Sequence, residues 1–531
     1  ADQALSDLDG MFAFAIYDRL DGSILLARDR IGMKPLFTWR SQGEFAFSST
    51  LQAFRSLFTL EPDLLTVQTF LSGYGGPTSG RSFFSDVQIV PPGTIVTLRK
   101  GEHPIRRSFA SWKQLVSSER LRTTSEKKPE HWIDELEELL LRSVKSQMLS
   151  DVPVGALCSG GVDSSLTLAM AKKFNPDLKI FHADVCGPLS EVESAKQVAH
   201  HLDLPIHIAE VRDQDFIQSI PEITEHYGFP FLYHPNAIPF ITVCKLVKES
   251  GVKAVLCGEG ADELFLGYEW LIPNIRRTIS RFPSAAFHYG KTKIDAWERQ
   301  LRGKPPARSF GKNDQQLVRS LSHAFEYELG VDETDDPDSE SQFEWPSTTD
   351  RRSLVKCGEL SYILRTLMHR NDALGMSASI EARYPFLARD VLEFAINLPT
   401  TAKLRVSTQL SDWHHPFVRD KWVLRKVASR YLPLDVAHRV KRPFKTNAFE
   451  RMRISPAYFD RSPLGDWFQV TNARLRFMAE NASAALRMRM LMLDVWGRIY
   501  FHGDKMTNLQ SRLSMFVRVA ASSKKYQALK T

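Results

Sequence analysis

Three features of the chain predict an α/β fold with a doubly wound parallel sheet, preceded by a β-rich N-terminal layer. The first is an apolar run at 152–157 that stops at Ser159-Gly160-Gly161-Val162-Asp163-Ser164-Ser165 and resumes at helical spacing through Leu166, Leu168, Ala169 and Met170. The second is the alternation that follows. Residues 178–185 and 207–211 read as strands, and 191–202 as a helix with Ala195, Val198 and Ala199 on one face. The third is a buried strand at 254–256 that runs into a glycine-spaced acidic turn. In such sheets ligands gather at the carboxyl ends of the strands, where both glycine turns fall.

Composition narrows the function classes. The chain has 531 residues, enough for two to four domains, and its 43% hydrophobic and 25% charged residues are those of a soluble globular protein. A net charge of +7 is mild at this length, and no separate basic module suggests nucleic-acid binding. The five cysteines (158, 186, 244, 257 and 357) are odd in number and lack CxxC spacing. They argue against a disulfide framework or a zinc site and fit a reducing, cytoplasmic compartment. No run approaches the ~18 apolar residues of a membrane span, and no basic-then-apolar leader opens the chain. It begins Ala1-Asp2-Gln3 rather than with Met, as a processed product or a fragment would.

Taken in order, residues 9–18 read as a buried strand, Asp21-Gly22 as a hairpin turn and 23–27 as the return strand, with 44–49 extending the layer. Residues 28–37 between them read as a charged loop with nothing catalytic in it. Residues 99–130 are polar and basic around a lone Trp112, which sets a first domain at 1–110 and a linker at 111–130. From His131, residues Trp132, Leu136, Leu139, Leu140 and Val144 recur at helical spacing and open a second domain at 131–520. Residues 310–350 turn polar and acidic and are expected to be a disordered insertion. His200, His201 and His207 read as solvated or capping rather than metal-binding, since consecutive helical residues face apart. The Leu and Met stripe at 486–493 reads as core.

The loop at 159–165 carries the chemistry. A strand, glycine turn and helix aim free N–H groups and a positive helix end at an anion. The glycines let a phosphate approach the backbone. Ser159, Ser164 and Ser165 add hydroxyl donors, while Asp163 would repel phosphate unless Mg²⁺ lies between them. The string is not a Walker loop, which needs Gly-Lys-Ser/Thr after four spacers. In the second turn Glu259, Asp262 and Glu263 crowd three carboxylates into five residues, which repel unless a cation or base chemistry occupies them. Asp163 and Asp262 are therefore expected to hold Mg²⁺ together. Either turn alone would pass for a solvated turn; two of them at parallel strand ends favour the metal.

Four stretches, in one order, resemble the glutamine-hydrolysing asparagine synthetases. They are residues 159–165, similar to the pyrophosphatase loop of ATP-dependent adenylating enzymes; Gly258-Glu259-Gly260-Ala261-Asp262-Glu263; 369–376 with 381–387; and 421–425 with Arg439-Val440-Lys441-Arg442. Residues 9–98 are similar to the second half of that family's glutaminase domain, of the N-terminal-nucleophile type. The resemblance implies attack of a carboxylate on the α-phosphate of ATP, loss of pyrophosphate, and capture of the acyl-AMP by ammonia. It assigns Leu157, Cys158, Ser159, Gly160, Gly161, Asp163, Ser164, Ser165, Ala183, Cys257 and Gly258 to ATP, and Asp163 and Asp262 to Mg²⁺. Catalysis falls to Glu259, which would deprotonate or orient the amine, to Glu381, and to Lys441 beside the phosphate. Aspartate as acceptor, ammonia from glutamine and a homodimer are implied as well.

The departures from that family matter. Its nucleophilic N-terminal Cys has no counterpart, since no cysteine lies in the first 150 positions, and a chain or segment supplying the missing glutaminase half is the partner this implies. Thr50, Leu266, Ala373 and Ala388 stand where the family usually has Glu, Gly, a basic residue and Asp. The alanines keep a different acceptor open, such as a sugar acid, or ring closure in a specialised product. Glu381 and Arg383 could form a structural ion pair. Adenylation of nucleic acid and a non-catalytic scaffold are the remaining readings. The intact phosphate loop, Asp262 and Lys441 argue against the scaffold.

Overall fold

The computed structural model describes residues 2–73, 80–187, 190–231, 235–267, 312–319, 351–406, 418–440 and 448–520. In the N-terminal region β1 (Ala13–Tyr17) and β2 (Ile24–Arg28) form the expected hairpin, whose turn places Gly22 at φ +71, but β1 is shorter than expected and half-buried to exposed rather than buried. After β3 (Phe37–Ser41), β4 (Glu44–Ser48) and β5 (Val87–Ile89) come β6 (Thr94–Leu98) and β7 (Ile105–Ser108). They assemble two antiparallel sheets, ordered β1-β2-β6-β7 and β4-β3-β5.

The loop between β2 and β3 is buried rather than solvated. The Arg28 guanidinium donates to the carbonyls of Lys34, Val90 and Gly32 at 2.7, 2.5 and 2.9 Å. Asp29 accepts the N–H groups of Ile31, Met33 and Lys34, a local cap for a chain that has left its ladder. Beyond the loop, Lys34 reaches across to Asp372 at 2.9 Å, tying this region to the second domain.

The stretch expected to be a linker is structured too. Ser118–Glu126 is a helix with Ser117 as its N-cap, and the Asn397 side chain accepts the Ser117 N–H and donates to the Leu115 carbonyl. That helix has few apolar residues, so hydrophobic periodicity could not reveal it; Trp132 Nε1 holds it by donating to the Thr124 carbonyl at 2.8 Å. Within the expected insertion, Lys312–Arg319 is a helix with Leu317 and Val318 buried, and Asp314 accepts the Ser483 N–H at 2.9 Å. The rest of 310–350 lies outside the described residues.

The second domain is built on β8 (Val154–Leu157), β9 (Ile180–Val185), β10 (Ile206–Val211), β11 (Ala254–Leu256) and β12 (Glu381–Arg383). All pairings are parallel and the order is β10-β9-β8-β11-β12, so the chain winds outward from β8, then returns to its other side. That reversal makes a switch point between β8 and β11, and the loops leaving those two strands flank the crevice. Helices Val162–Lys172, Val192–His201 and Ala237–Glu249 are the crossovers between these strands. Among the described residues no helix is long and apolar enough to cross a membrane.

The two regions meet over an aromatic seam in which Phe37 lies 5.7 Å from His369, beside Tyr227 and Phe229. His369 Nε2 donates to the Tyr227 carbonyl at 2.8 Å, and burial pushes the imidazole pKa down to about 4. The unfolded chain would bind this proton near pH 6.5, so stability is complete above that pH and is lost as pH falls toward 4. His369 alone is expected to remove on the order of 3 kcal/mol across that window. Urea titrations at pH 7 and pH 4.5 test this, and His369→Gln should flatten the slope; an unchanged slope would contradict it.

Candidate active site

The loop after β8 folds back on itself through serines. Ser159 Oγ lies 2.9 Å from Ser164 Oγ, the Ser159 N–H donates to Ser164 Oγ at 3.2 Å, and the Gly161 N–H donates to Ser159 Oγ at 3.3 Å. Gly160 sits at φ +77, where a Cβ would come within 2.8 Å of the Ser194 and Ala195 backbone. Its carbonyl accepts from the Arg439 guanidinium at 2.6 Å, whose other arm reaches Gln197 at 2.5 Å. Gly161 caps Val162–Lys172 without a side chain, so no cap side chain satisfies the first N–H groups of this helix. Ser165 Oγ is buried with no hydrogen-bond partner among the described residues.

The second loop lies directly against the first. A Cβ on Gly258 would sit 2.9 Å from the Ser164 nitrogen, which explains the glycine by close approach. Cys158 and Cys257 are buried free thiols; burial pushes the Cys158 thiol up to about 12 and the Cys257 thiol well up, which disfavours the thiolate. Leu157 ends β8, Cys158 and Cys257 directly follow β8 and β11, and Ala183 lies within β9. His182, on β9, donates from Nδ1 to the Cys158 carbonyl at 2.7 Å and pins the start of the loop after β8.

The three crowded carboxylates are separated by the turn. Glu259 Oε1 accepts from Asn371 Nδ2 at 3.1 Å and lies 3.5 Å from the guanidinium of Arg370, which is buried. Arg370 also donates to Asn371 Oδ1 at 2.9 Å, locking the pair that holds Glu259. Glu263 is buried in the short helix Ala261–Phe265. Asp262 turns to Lys421, whose ammonium is 2.7 Å from Asp262 Oδ1 and 2.6 Å from Asp163 Oδ2 and fully buried.

The two expected metal ligands therefore converge on one cation position, supplied from opposite sides of the switch point. Asp163 Oδ1 is buried with no hydrogen-bond partner among the described residues, an acceptor left over for a hard cation. Two carboxylates are a small protein share, as suits Mg²⁺, which keeps waters and phosphate oxygens in its shell. The donor set fits Mg²⁺.

The other expected residues fall differently. Glu381 opens β12 level with Ala254, two residues before the end of β11, and accepts from Arg383 Nε at 2.7 Å. Arg383 continues to the carbonyls of Gln147 and Leu149, on the side where β8 begins. The structural ion pair is thus present, and Glu381 is not brought to Asp163 and Asp262. Lys441 lies outside the described residues. Lys421, Arg370, Asn371 and Arg439 were not singled out for roles in the sequence, although each lies in or beside a stretch that carries the resemblance.

Two departures gain a physical reading. Leu266 adopts φ +61 and ψ +49, a left-handed conformation that explains why glycine suits this position. Ala388 is the N-cap of Arg389–Ile396 and offers no side-chain oxygen; Asp9 of the N-terminal region accepts the Arg389 N–H instead, at 3.3 Å. An Asp at 388 would be placed to act as a helix cap.

A family model described as asparagine synthase matches residues 135–493, and one described as a glutamine amidotransferase domain matches residues 1–109. Asparagine synthetase [glutamine-hydrolyzing] 1 of Bacillus subtilis is 28% identical over 464 residues, covering 83% of this chain and 68% of the relative. Amidase chyE of Penicillium rubens is 23% identical over 486 residues, covering 83% and 70%. Asparagine synthetase B [glutamine-hydrolyzing] of Escherichia coli is 29% identical over 285 residues, covering 50% and 44%.

Proposed function

The chain belongs to the asparagine synthase family, a family of ATP-dependent amidotransferase ligases, and on that premise we propose that it amidates a small carboxylate, first of all aspartate, through an acyl-AMP. The observation that carries this is the convergence of a serine-rich anion loop and two carboxylates at the switch point between β8 and β11. The acceptor carboxylate attacks the α-phosphate and pyrophosphate leaves. Ammonia, derived from glutamine, then attacks the acyl carbon, and AMP and a proton are released.

The residues divide this work. Loop N–H groups and the hydroxyls of Ser159, Ser164 and Ser165 orient the phosphates, aided by the helix end. Asp163 and Asp262 would hold Mg²⁺, which when bound supplies charge neutralisation to the leaving pyrophosphate. Glu259, fixed by Arg370 and Asn371, takes the proton from the attacking amine. Lys441 is assigned to the developing oxyanion by resemblance alone, and Glu381 to holding the strand edge. Ala373 and the relative named as an amidase favour a second acceptor class, another small organic acid.

The proposal is tested by AMP release with ATP, Mg²⁺, ammonium and a panel of carboxylates. Asparagine formed only with aspartate supports the first acceptor; AMP with a different acid replaces it; AMP with no acid in the panel contradicts the ligase reading. Glu259→Gln is expected to spare carboxylate-dependent ATP–pyrophosphate exchange and lower amide formation by about 10²–10⁴-fold. Equal loss in both assays would remove Glu259 from the ammonia step.

A further inference from the structure

The ammonium of Lys421 occupies the position on which both metal carboxylates converge, at 2.6 and 2.7 Å, and is fully buried. We propose that Lys421 is a resident counter-ion that keeps divalent cations out of the nucleotide-free site, so that Mg²⁺ enters with the polyphosphate rather than before it. This rests on the reading of Asp163 and Asp262 as metal ligands and adds an order of binding to it.

Asp163 and the half-buried Asp262 with one ammonium leave a single net negative charge, and a divalent ion arriving alone must displace the ammonium. The displaced group would be a buried cation without a counter-charge, an unfavourable state. A polyphosphate brings its own negative charge for the ammonium to meet, so the exchange becomes favourable when nucleotide and metal arrive together.

Lys421 sits at φ +49, ψ +35, with its carbonyl accepting the Arg425 N–H at 2.9 Å and Arg425 paired to Asp420 at 2.9 Å, so its backbone is held in place. Gly267 closes over the pair: a Cβ there would lie 2.0 Å from Lys421 Cε and 2.1 Å from Asp262 Oδ1. The chain is shaped around the lysine side chain as well as around the carboxylates. Asp163 Oδ1 nevertheless remains unsatisfied among the described residues, so the lysine fills the seat without exhausting it.

Mn²⁺ binding to the nucleotide-free protein, followed by water-proton relaxation enhancement, tests this without any turnover. Lys421→Met is expected to bind Mn²⁺ at least about tenfold more tightly than the wild type, because the competing cation is gone. Adding Asp163→Asn should abolish the gain, and a non-hydrolysable ATP analogue should create the site in the wild type. Mg²⁺ should raise the melting temperature of Lys421→Met without nucleotide and leave that of the wild type unchanged. Wild-type protein that binds Mn²⁺ through Asp163 as tightly as the variant overturns the counter-ion role while the metal site stands. Absence of Mn²⁺ in every sample, analogue included, overturns the metal reading and this proposal with it. If Lys421→Met does not fold, Lys421→Gln replaces it, and tight Mn²⁺ binding by nucleotide-free wild type still decides against the proposal.

Discussion

Asp163→Ala is expected to lower carboxylate-dependent ATP–pyrophosphate exchange by at least about 10²-fold, with the fold intact by circular dichroism. The residue sits in the first turn of Val162–Lys172, beside the glycine loop after β8 and joined to Asp262 through Lys421. Removing it takes away one of two carboxylates on the shared cation position and leaves Lys421 half-paired. Asp163→Asn separates charge from shape: it keeps the side-chain volume and should lose nearly as much exchange. Retention of most of the exchange in either variant would mean that Asp163 is no metal ligand and that the site map is wrong at its centre.

Trp496→Ala is expected to destabilise the protein by about 3–5 kcal/mol, read as a lower urea midpoint. Trp496 lies on Ala484–Gly497, fully buried, with its ring centroid 5.5 and 5.1 Å from Phe83 and Phe84 of the N-terminal region and 5.0 Å from Phe501. Its Nε1 donates to the Gly228 carbonyl at 3.0 Å, so it joins three separate parts of the chain. Trp496→Phe keeps much of the apolar contact and removes the donor, and should cost about 1–3 kcal/mol. A wild-type midpoint for the alanine variant would show that the aromatic seam does not hold the two regions together.

The parts of this architecture that were legible in the sequence are those whose cause is local. The glycines of the loop at 159–165 mark a close approach, which at Gly160 the structure gives to the Ser194 and Ala195 backbone, and the run 254–256 announces a buried strand that the structure reproduces residue for residue. What the sequence hid depends on distance along the chain. Lys421 and Asp163 are 258 positions apart, and Lys34 and Asp372 are 338 apart, so no local pattern records either pair. Asp29 and Arg28 looked like surface charge because nothing in their neighbours shows that three carbonyls and three N–H groups wait for them. The helix at Ser118–Glu126 was missed because it is held through Asn397 and Trp132 rather than through an apolar stripe of its own. Ala388 departs from the family pattern in the sequence, and only the structure places it at a helix N-cap. Glu259 was legible as a candidate base, while its orientation by Arg370 and Asn371 required the fold.

The most direct test of the account follows one oxygen atom. When an acceptor carboxylate labelled with ¹⁸O is turned over with ATP and ammonium, adenylation followed by amide formation must leave one labelled oxygen in the AMP phosphate. The account predicts AMP carrying a single ¹⁸O and pyrophosphate carrying none. Label appearing in inorganic phosphate with ADP as the other product, or in no phosphorus product, would contradict an acyl-AMP and with it the ligase mechanism assigned to this site.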